Sequence, residues 1–251
     1  LKQERTSATL LMTSLANATI KTSPIKSDYQ VMANSVASQF LMDDINNLFT
    51  LAKRINSSWI AGTPTTRTKG ITDLIVSPEI VGKIRSMAYN PVNTKAAFGQ
   101  AAAAENSNGL AAPESLREEL YRGGGETSFM GLNILEYNEM GVNQKFNTLF
   151  DTAAGSNTYG TFAAGDAAAG ATSITFDTTA DEIVVGVDRT RDSLIRAVAT
   201  DSESGSEMNL IADDQYSIRQ NKIGYFGSIE EGRVVLDNRV LCGVIVGAFD
   251  S

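Results

Sequence analysis

The chain has 251 residues, of which 42% are hydrophobic and 20% charged, so it is long enough to bury one large core or two small ones. It contains no histidine and a single cysteine, Cys242. This composition excludes an intramolecular disulfide, Ser-His-Asp and Cys-His catalysis, histidine metal sites, zinc ribbons and iron–sulfur centres. The net charge of −8 argues against the broad basic surface that non-specific nucleic-acid binding needs.

The N-terminal region, residues 1–27, is polar and rich in threonine and serine. Residues 6–13 and 18–22 have the composition of strands, so the sequence predicts an extended N-terminal hairpin or arm. Such an arm has too little core to be stable alone and is expected to lie on a neighbouring molecule. Because residue 1 is leucine, we expect an upstream segment that either was removed or lies outside this chain.

Residues 28–55 carry apolar side chains at spacings of three and four. The stripe consists of Met32, Val36, Phe40, Leu41, Ile45, Leu48, Ala52 and Ile55. This periodicity predicts one long amphipathic helix of about eight turns. A polar linker, residues 62–70, follows it.

The next elements alternate short strands, short helices and loops. Residues 74–76 are predicted to form a strand, and Ser77, Pro78 and Glu79 have the residue types that begin a helix, which is expected to end near Ala88. Further predictions are a helix at 114–121, strands at 132–137, 173–176, 182–187 and 239–246, surface loops at 151–171 and 199–209, and a turn at Glu231-Gly232.

Four patterns partly match known chemical sites, and none predicts a catalytic, cofactor-binding or metal-binding residue. Gly123–Gly125 is followed by Glu126 rather than by the Lys-Ser/Thr of a phosphate loop. The acids near Gly205 lack the closing glutamate of a calcium loop.

The paired carboxylates Asp213-Asp214 and Glu230-Glu231 are adjacent in sequence, so strand geometry turns them to opposite faces. Residues 216–226 interleave aromatic and basic side chains, which we interpret as a strand with one face packed inward rather than as a nucleic-acid surface. Cys242, in an apolar run, is predicted to be buried and unreactive. The longest apolar stretch, residues 240–249, is too short to cross a bilayer.

In their order along the chain, four passages resemble the major capsid proteins of tailed bacteriophages, the Hong Kong 97-like family. Residues 28–55 resemble the family's spine helix, preceded by a hairpin similar to its E-loop. DLIVSPEIVGKIR (73–85) is similar to a recurrent strand and helix start. LREELYRGGGETSFMGLNILEYNEMG (116–141) and residues 181–246, ending in YFGSIEEGRVVLDNRVLCGVIV, resemble the family's glycine-rich turn and closing strands.

The resemblance implies an α+β capsid fold with four parts. Residues 1–27 would form the N-terminal arm, 28–70 the spine helix with part of the peripheral domain, 71–212 mainly the axial domain, and 213–251 the return strands of the peripheral domain. The chain would have no enzymatic activity and no cofactor. It would assemble with itself as hexamers and pentamers into an icosahedral virion shell, which encloses double-stranded DNA, with scaffold, portal and decoration proteins as further partners.

Three questions stay open at the level of sequence. A tail-tube or decoration protein shares the acidic composition and β-rich end, although the predicted long helix argues against it. A small-ligand-binding α/β domain would need regular strand–helix alternation, which the sequence lacks. By analogy with relatives that cross-link their subunits, Lys21 or Lys26 and Asn238 are conceivable partners of an isopeptide bond.

Overall fold

The computed structural model describes residues 2–19, 29–34, 39–55, 70–87, 126–161, 174–200, 205–213 and 224–247. Its helices are α1 (Lys2–Ala16), α2 (Met42–Ile55), α3 (Pro78–Met87) and α4 (Lys145–Ala154). Its strands are β1 (Val31–Ala33), β2 (Asp73–Val76), β3 (Glu126–Phe129), β4 (Leu132–Glu136), β5 (Thr158–Thr161), β6 (Ile174–Thr175), β7 (Asp181–Val187), β8 (Leu194–Val198), β9 (Asn209–Asp213), β10 (Gly224–Ser228), β11 (Glu231–Val235) and β12 (Leu241–Gly247). The predicted α+β class is confirmed.

Eight strands form one mixed sheet in the order β3-β4-β2-β7-β12-β1-β5-β6. The central strands β7 and β12 run antiparallel, and Val184 is opposite Val244. Every residue of both strands is buried, because both faces of the sheet are covered. This explains why β12 reads as a continuous apolar run rather than as an alternating one.

The two faces of the sheet carry separate helices. Along β7, Ile183 and Val185 point into a core shared with α1 and α4, whereas Val184 points into a core shared with α2 and α3. Alternation of side chains along a strand therefore divides one sheet between two hydrophobic layers. The chain also divides into two compact units: unit 1 comprises residues 1–191 and 237–251, and unit 2 comprises residues 192–236.

The prediction of one helix over residues 28–55 is wrong in its first half. Residues 31–33 form β1, which pairs in parallel with both β12 and β5. The buried Gln30 side chain donates hydrogen bonds to the carbonyl oxygens of Asn238 and Leu241, at 2.9 and 2.6 Å. Strand pairing and the Gln30 hydrogen bonds hold this segment in an extended conformation. The observed helix, α2, spans only residues 42–55, where the apolar residues of the predicted stripe are buried.

The predicted N-terminal strand at residues 6–13 is also wrong, because α1 occupies this segment. Ala8, Met12, Leu15 and Ala16 recur at helical spacing and are buried against α4 and the sheet. The threonines lie on the exposed side, where Thr9 Oγ1 donates to the carbonyl oxygen of Arg5 at 2.8 Å. Burial of the apolar stripe outweighs the β preference of threonine.

Several shorter predictions are confirmed. Strand β2 and helix α3 lie as expected, and the Ser77 side chain accepts a hydrogen bond from the Ile80 amide at 3.2 Å, as a helix cap does. Strands β4, β7 and β12 match their predicted segments closely, and β6 covers part of residues 173–176. The helix predicted at 114–121 and Gly123–Gly125 lie outside the described residues.

Two predicted irregular segments are regular instead. The loop predicted at 151–171 contains the end of α4 and strand β5, whose Tyr159 packs against Phe150. The turn predicted at Glu231-Gly232 lies inside β11, which pairs with β8. In both cases, long-range packing or strand pairing outweighs the local small-residue and glycine signals.

The division of the chain into peripheral and axial domains stays a prediction. In the described part of the chain, no helix is long and apolar enough to cross a membrane.

Candidate assembly surface

Unit 2, residues 192–236, is called the ribbon below, and its described residues contain two antiparallel strand pairs. Strand β8 pairs with β11 and β9 pairs with β10, so the inner pair is nested within the outer pair along the chain. An isolated two-stranded sheet has little hydrophobic core of its own and is marginally stable in water. The ribbon therefore needs a further surface to pack against.

One face of the outer pair is charged. The Arg196 Nε lies 2.7 Å from a Glu231 carboxylate oxygen, and an Arg233 guanidinium nitrogen lies 2.8 Å from the other oxygen of the same carboxylate. Glu231 holds the pKa of the Arg196 guanidinium above its ordinary value, mainly through this hydrogen bond. The Glu231 and Arg233 side chains are only 10% and 18% exposed, so this network orders the charged face of the outer pair.

The opposite face of the outer pair carries no charge. Ile195 is directly opposite Val234 in the register, and Ala197 is opposite Gly232. All four residues are exposed, with Ile195 at 38% and Val234 at 44%. The outer pair is thus amphipathic, and its uncharged face is in contact with solvent.

Exposed apolar side chains are concentrated in the ribbon. Among the residues that the structure describes, nine of the eleven large exposed hydrophobic residues lie within it: Leu194, Ile195, Met208, Leu210, Tyr225, Phe226, Ile229, Val234 and Leu236. Exposed apolar residues that cluster in this way mark an interaction surface.

The interpretation of residues 216–226 as a strand with one inward-packed face is wrong for its described part. Tyr225 and Phe226 are neighbours in β10 and so point to opposite faces, yet they are 66% and 64% exposed. Residues 214–223 lie outside the described residues.

A salt-bridge network holds the two points at which the chain passes between unit 1 and the ribbon. Arg191, the last residue before the ribbon, lies 3.4 Å from Asp237, the first residue after it, and 3.9 Å from Asp188. Burial raises the pKa of Asp237, but hydrogen bonds from the Arg239 amide and side chain and the nearby arginine charges lower it overall. The Asp237 carboxylate is therefore ionised at neutral pH and pairs with Arg191 and Arg239.

Unit 1 contains an apolar groove beside α1, with a volume of about 210 Å³. It is lined by Ser7, Ala8, Leu11, Met12, Ile75, Tyr137, Met140 and Phe146. Tyr137 is 45% exposed and packs edge-on against Phe146, with ring centroids 6.1 Å apart. The groove, which is called the α1 groove below, can accept one or two apolar side chains but is smaller than the pockets that usually hold drug-sized ligands, about 300–1,000 Å³.

The structure also contains a buried carboxyl group. Glu182 on β7 is buried and accepts a hydrogen bond from the Ser77 hydroxyl. Burial raises its pKa above the ordinary value, the Ser77 bond and Lys83 act in the opposite direction, and Glu79 adds to the rise. With this arrangement Glu182 is a source of pH-dependent stability.

Two of the side chains considered as chemical sites, those of Cys242 and Glu231, have a defined environment in the structure. Cys242 is buried, and burial raises the pKa of its thiol, as expected for an unreactive cysteine. Glu231 is committed to Arg196 and Arg233. Among the described residues, no group of three acidic or cysteine side chains could hold a metal ion.

The isopeptide pairing and the interpretation of the acids near Gly205 as a solvated loop stay predictions. Lys21, Lys26, Asp201, Glu203 and Asp214 lie outside the described residues. The carbonyl oxygen of Asn238 accepts a hydrogen bond from Gln30 at 2.9 Å.

Sequence reasoning missed the ribbon as a surface. The available signal was the repeated occurrence of two adjacent large apolar residues, such as Leu194-Ile195 and Tyr225-Phe226, which no single sheet face can bury together.

In comparisons with known proteins, no protein-family model matches the chain, and no curated protein is significantly similar to it in sequence.

Proposed function

We propose that this chain is a major capsid protein of a tailed bacteriophage, a shell subunit that assembles with its own copies around double-stranded DNA. The observation that carries the proposal is the concentration of exposed apolar side chains in the ribbon. A subunit that works alone gains nothing from this exposure, whereas a shell subunit covers it with a neighbour. The order of the four capsid-like passages in the sequence supports the same assignment.

The role proposed here is structural rather than catalytic. The acidic balance of the chain suits a protein that encloses DNA without gripping it, since a negative wall repels phosphates. Hexamers and pentamers of identical subunits need head-to-tail contacts that close into rings. Scaffold, portal and decoration proteins are further proposed partners, and the proposed location is the virion.

A tail-tube subunit is the second candidate, and one observation favours it. Helix α2 has 14 residues rather than the predicted 28. The long helix that would distinguish the chain from a mainly β tail-tube protein is therefore absent from residues 28–55. Both candidates assemble, but into different shapes. A small-ligand-binding domain is the third reading, and the α1 groove is its only support in the described part of the chain.

Electron microscopy of the purified, expressed chain separates these functions. The capsid proposal expects round, closed shells of uniform size. Open tubes would favour the tail-tube candidate. A homogeneous monomer at high protein concentration, measured by light scattering on a size-exclusion column, would contradict both.

A further inference from the structure

Strand β11 has one edge that faces away from β8. The Leu236 amide donates to the Ser193 carbonyl oxygen at 2.8 Å, and the Ala199 amide donates to the Glu230 carbonyl oxygen at 2.9 Å. Successive residues of a strand direct their backbone groups to opposite edges, so the even-numbered positions of β11 pair with β8. The odd-numbered positions direct their amides and carbonyls to the other edge, which pairs with no strand in the described part of the chain.

The charges along this edge are self-complementary. Strand β11 carries one acidic and one basic side chain, Glu231 and Arg233, two positions apart and therefore on the same face. When two copies of β11 pair antiparallel about a twofold axis through Gly232, each Glu231 lies directly opposite the Arg233 of the other copy. An axis through Glu231 or through Arg233 instead places like charges opposite each other, which is unfavourable. Charge thus selects one register from its neighbours.

The other strands of the ribbon lack this pattern. Arg196 is the only charged residue of β8, Asp213 is the only one of β9, and β10 has none. Pairing of any of these strands with its own copy therefore gains no ion pair. Pairing of β11 also joins two β8–β11 pairs into one four-stranded sheet, and a sheet of three or more strands is more stable than an isolated pair.

The overall charge of the ribbon opposes this contact only weakly. Residues 192–236 contain eight acidic and four basic side chains, so two ribbons repel each other at long range. At physiological ionic strength this repulsion is screened over about 8 Å. Strands that pair lie only about 4.8 Å apart, and the charges of β11 itself cancel. The local ion pairs therefore decide the register.

We infer that two copies of the chain join through their β11 edges, antiparallel about Gly232. This inference rests on the proposed self-assembly and names the strand at which two copies meet. The contact is isologous, because both copies use the same surface, so it links two copies and no more. It leaves the head-to-tail contacts within a ring to other surfaces and can join subunits of two different rings.

A single cysteine tests the register. Gly232 is exposed, and a Cβ atom added there has no neighbour within 4 Å. In the inferred register the two copies of residue 232 form a non-hydrogen-bonded pair, with Cα atoms about 4.5 Å apart, which a disulfide can bridge. The matched control is Val234→Cys, on the same face and 44% exposed. Its two copies would lie about 14 Å apart along the strands, too far for a disulfide.

Oxidation of Gly232→Cys at low protein concentration should give a covalent dimer on a non-reducing gel. No larger covalent species is expected, because Cys242, the natural cysteine, is buried. Val234→Cys should stay monomeric on the same gel. The absence of a Gly232→Cys dimer, or an equally abundant Val234→Cys dimer, would overturn the inference.

Charge reversal tests the same register without a cross-link. Glu231→Arg and Arg233→Glu each place like charges opposite each other twice. Below the concentration at which particles form, each should shift the monomer–dimer equilibrium toward monomer by about tenfold or more, measured by sedimentation velocity. An equimolar mixture of the two variants, and the double variant in one chain, both restore opposite charges and should dimerise like wild type. Glu136→Arg and Arg85→Glu, at exposed positions of unit 1, control for the change in net charge.

Undiminished dimerisation of both single variants would overturn the inference. So would the failure of both the mixture and the double variant to restore dimers. The outcome for the proposed function is read separately. Wild-type particles without a Gly232→Cys cross-link would overturn the inference alone, whereas a Gly232→Cys dimer without wild-type particles would support this contact and contradict the proposed function.

Discussion

Arg191 lies 3.4 Å from Asp237, so the residue at which the chain enters the ribbon is paired with the residue at which it returns. The Arg191 side chain is 11% exposed and also lies 3.9 Å from the buried carboxylate of Asp188. One guanidinium thus links both crossing points to the end of β7. This pairing lies wholly within unit 1, between the position where the chain leaves it and the position where it returns.

Replacing Arg191 with methionine keeps much of the side-chain volume and removes the charge. Asp237 and Asp188 each lose one cation, so the free energy of unfolding should fall by about 1.5–3 kcal/mol, the range for hydrogen bonds to charged groups. Urea unfolding at a fixed protein concentration measures this change. Arg239→Met is the control, because Arg239 also contacts Asp237 but is 48% exposed and should cost less than about 1 kcal/mol. Equal effects of the two variants would contradict the role of Arg191.

Gly70 packs against the backbone of α2 with a φ of +82°. A Cβ atom there would lie 2.9 Å from the Ala52 carbonyl carbon, so Gly70→Ala adds both a clash and left-handed strain. We expect a loss of about 1–3 kcal/mol in the free energy of unfolding.

Gly82 provides the matched comparison for Gly70. It is exposed in α3, and a Cβ atom there would have no neighbour within 4 Å. Gly82→Ala should therefore stabilise the protein by about 0.5–1 kcal/mol through helix propensity. Chemical denaturation of the two variants should give changes of opposite sign. A Gly70→Ala variant with unchanged stability would contradict the close contact between residue 70 and α2.

Tyr159 fixes the end of α1 to β5. Its hydroxyl donates a hydrogen bond to the Ala16 carbonyl oxygen at 3.1 Å, and its burial raises the pKa of the phenol to about 12. Asn157 also donates to this carbonyl oxygen, at 3.2 Å. Tyr159→Phe should therefore cost about 0.5–1 kcal/mol, the lower part of the range for a hydrogen bond. Thermal unfolding measures the change, and Tyr137→Phe at a half-exposed position should leave the midpoint unaltered.

Glu182 should make stability depend on pH. Its pKa is raised above the ordinary value of 4.5, mainly by burial, so the folded chain binds the proton more tightly than the unfolded chain does. The stability that this group contributes is complete below pH 4.5 and is lost as pH rises through the folded-state pKa.

Glu182→Gln should remove this pH dependence. Glutamine stays neutral and can still accept the Ser77 hydrogen bond, so the variant should gain stability relative to wild type as pH rises from 4.5 to 8. Urea unfolding across this interval measures the difference, and Glu230→Gln, in an exposed position, controls for the loss of one negative charge. A constant difference between wild type and Glu182→Gln would contradict the raised pKa.

Elements with a clear local signal were predictable from the sequence. Strand β12 was recognisable as a continuous run of apolar and β-branched residues, and the start of α3 was recognisable from Ser77, Pro78 and Glu79. The start of α2 was not predictable from the sequence. Met32 continues the helical spacing by coincidence, whereas the backbone of residues 31–33 pairs with β5 and β12. Pairing between residues as far apart as Val31 and Gly243 leaves no trace in a local pattern.

The candidate surface was harder to predict than the fold. An adjacent pair such as Tyr225-Phe226 is compatible with a buried strand or with a ribbon exposed on both faces, and only the tertiary structure distinguishes the two. The groove is similarly hidden from the sequence, because α1, Ile75 and Phe146 come from distant segments.

The proposed function depends most on the claim that the chain assembles into a closed shell through its own copies. Electron microscopy of the purified wild-type protein, over a range of protein concentrations, tests this claim directly. We predict spherical particles of uniform diameter above a threshold concentration. A stable monomer throughout that range, with the apolar residues of the ribbon still exposed, would contradict the claim.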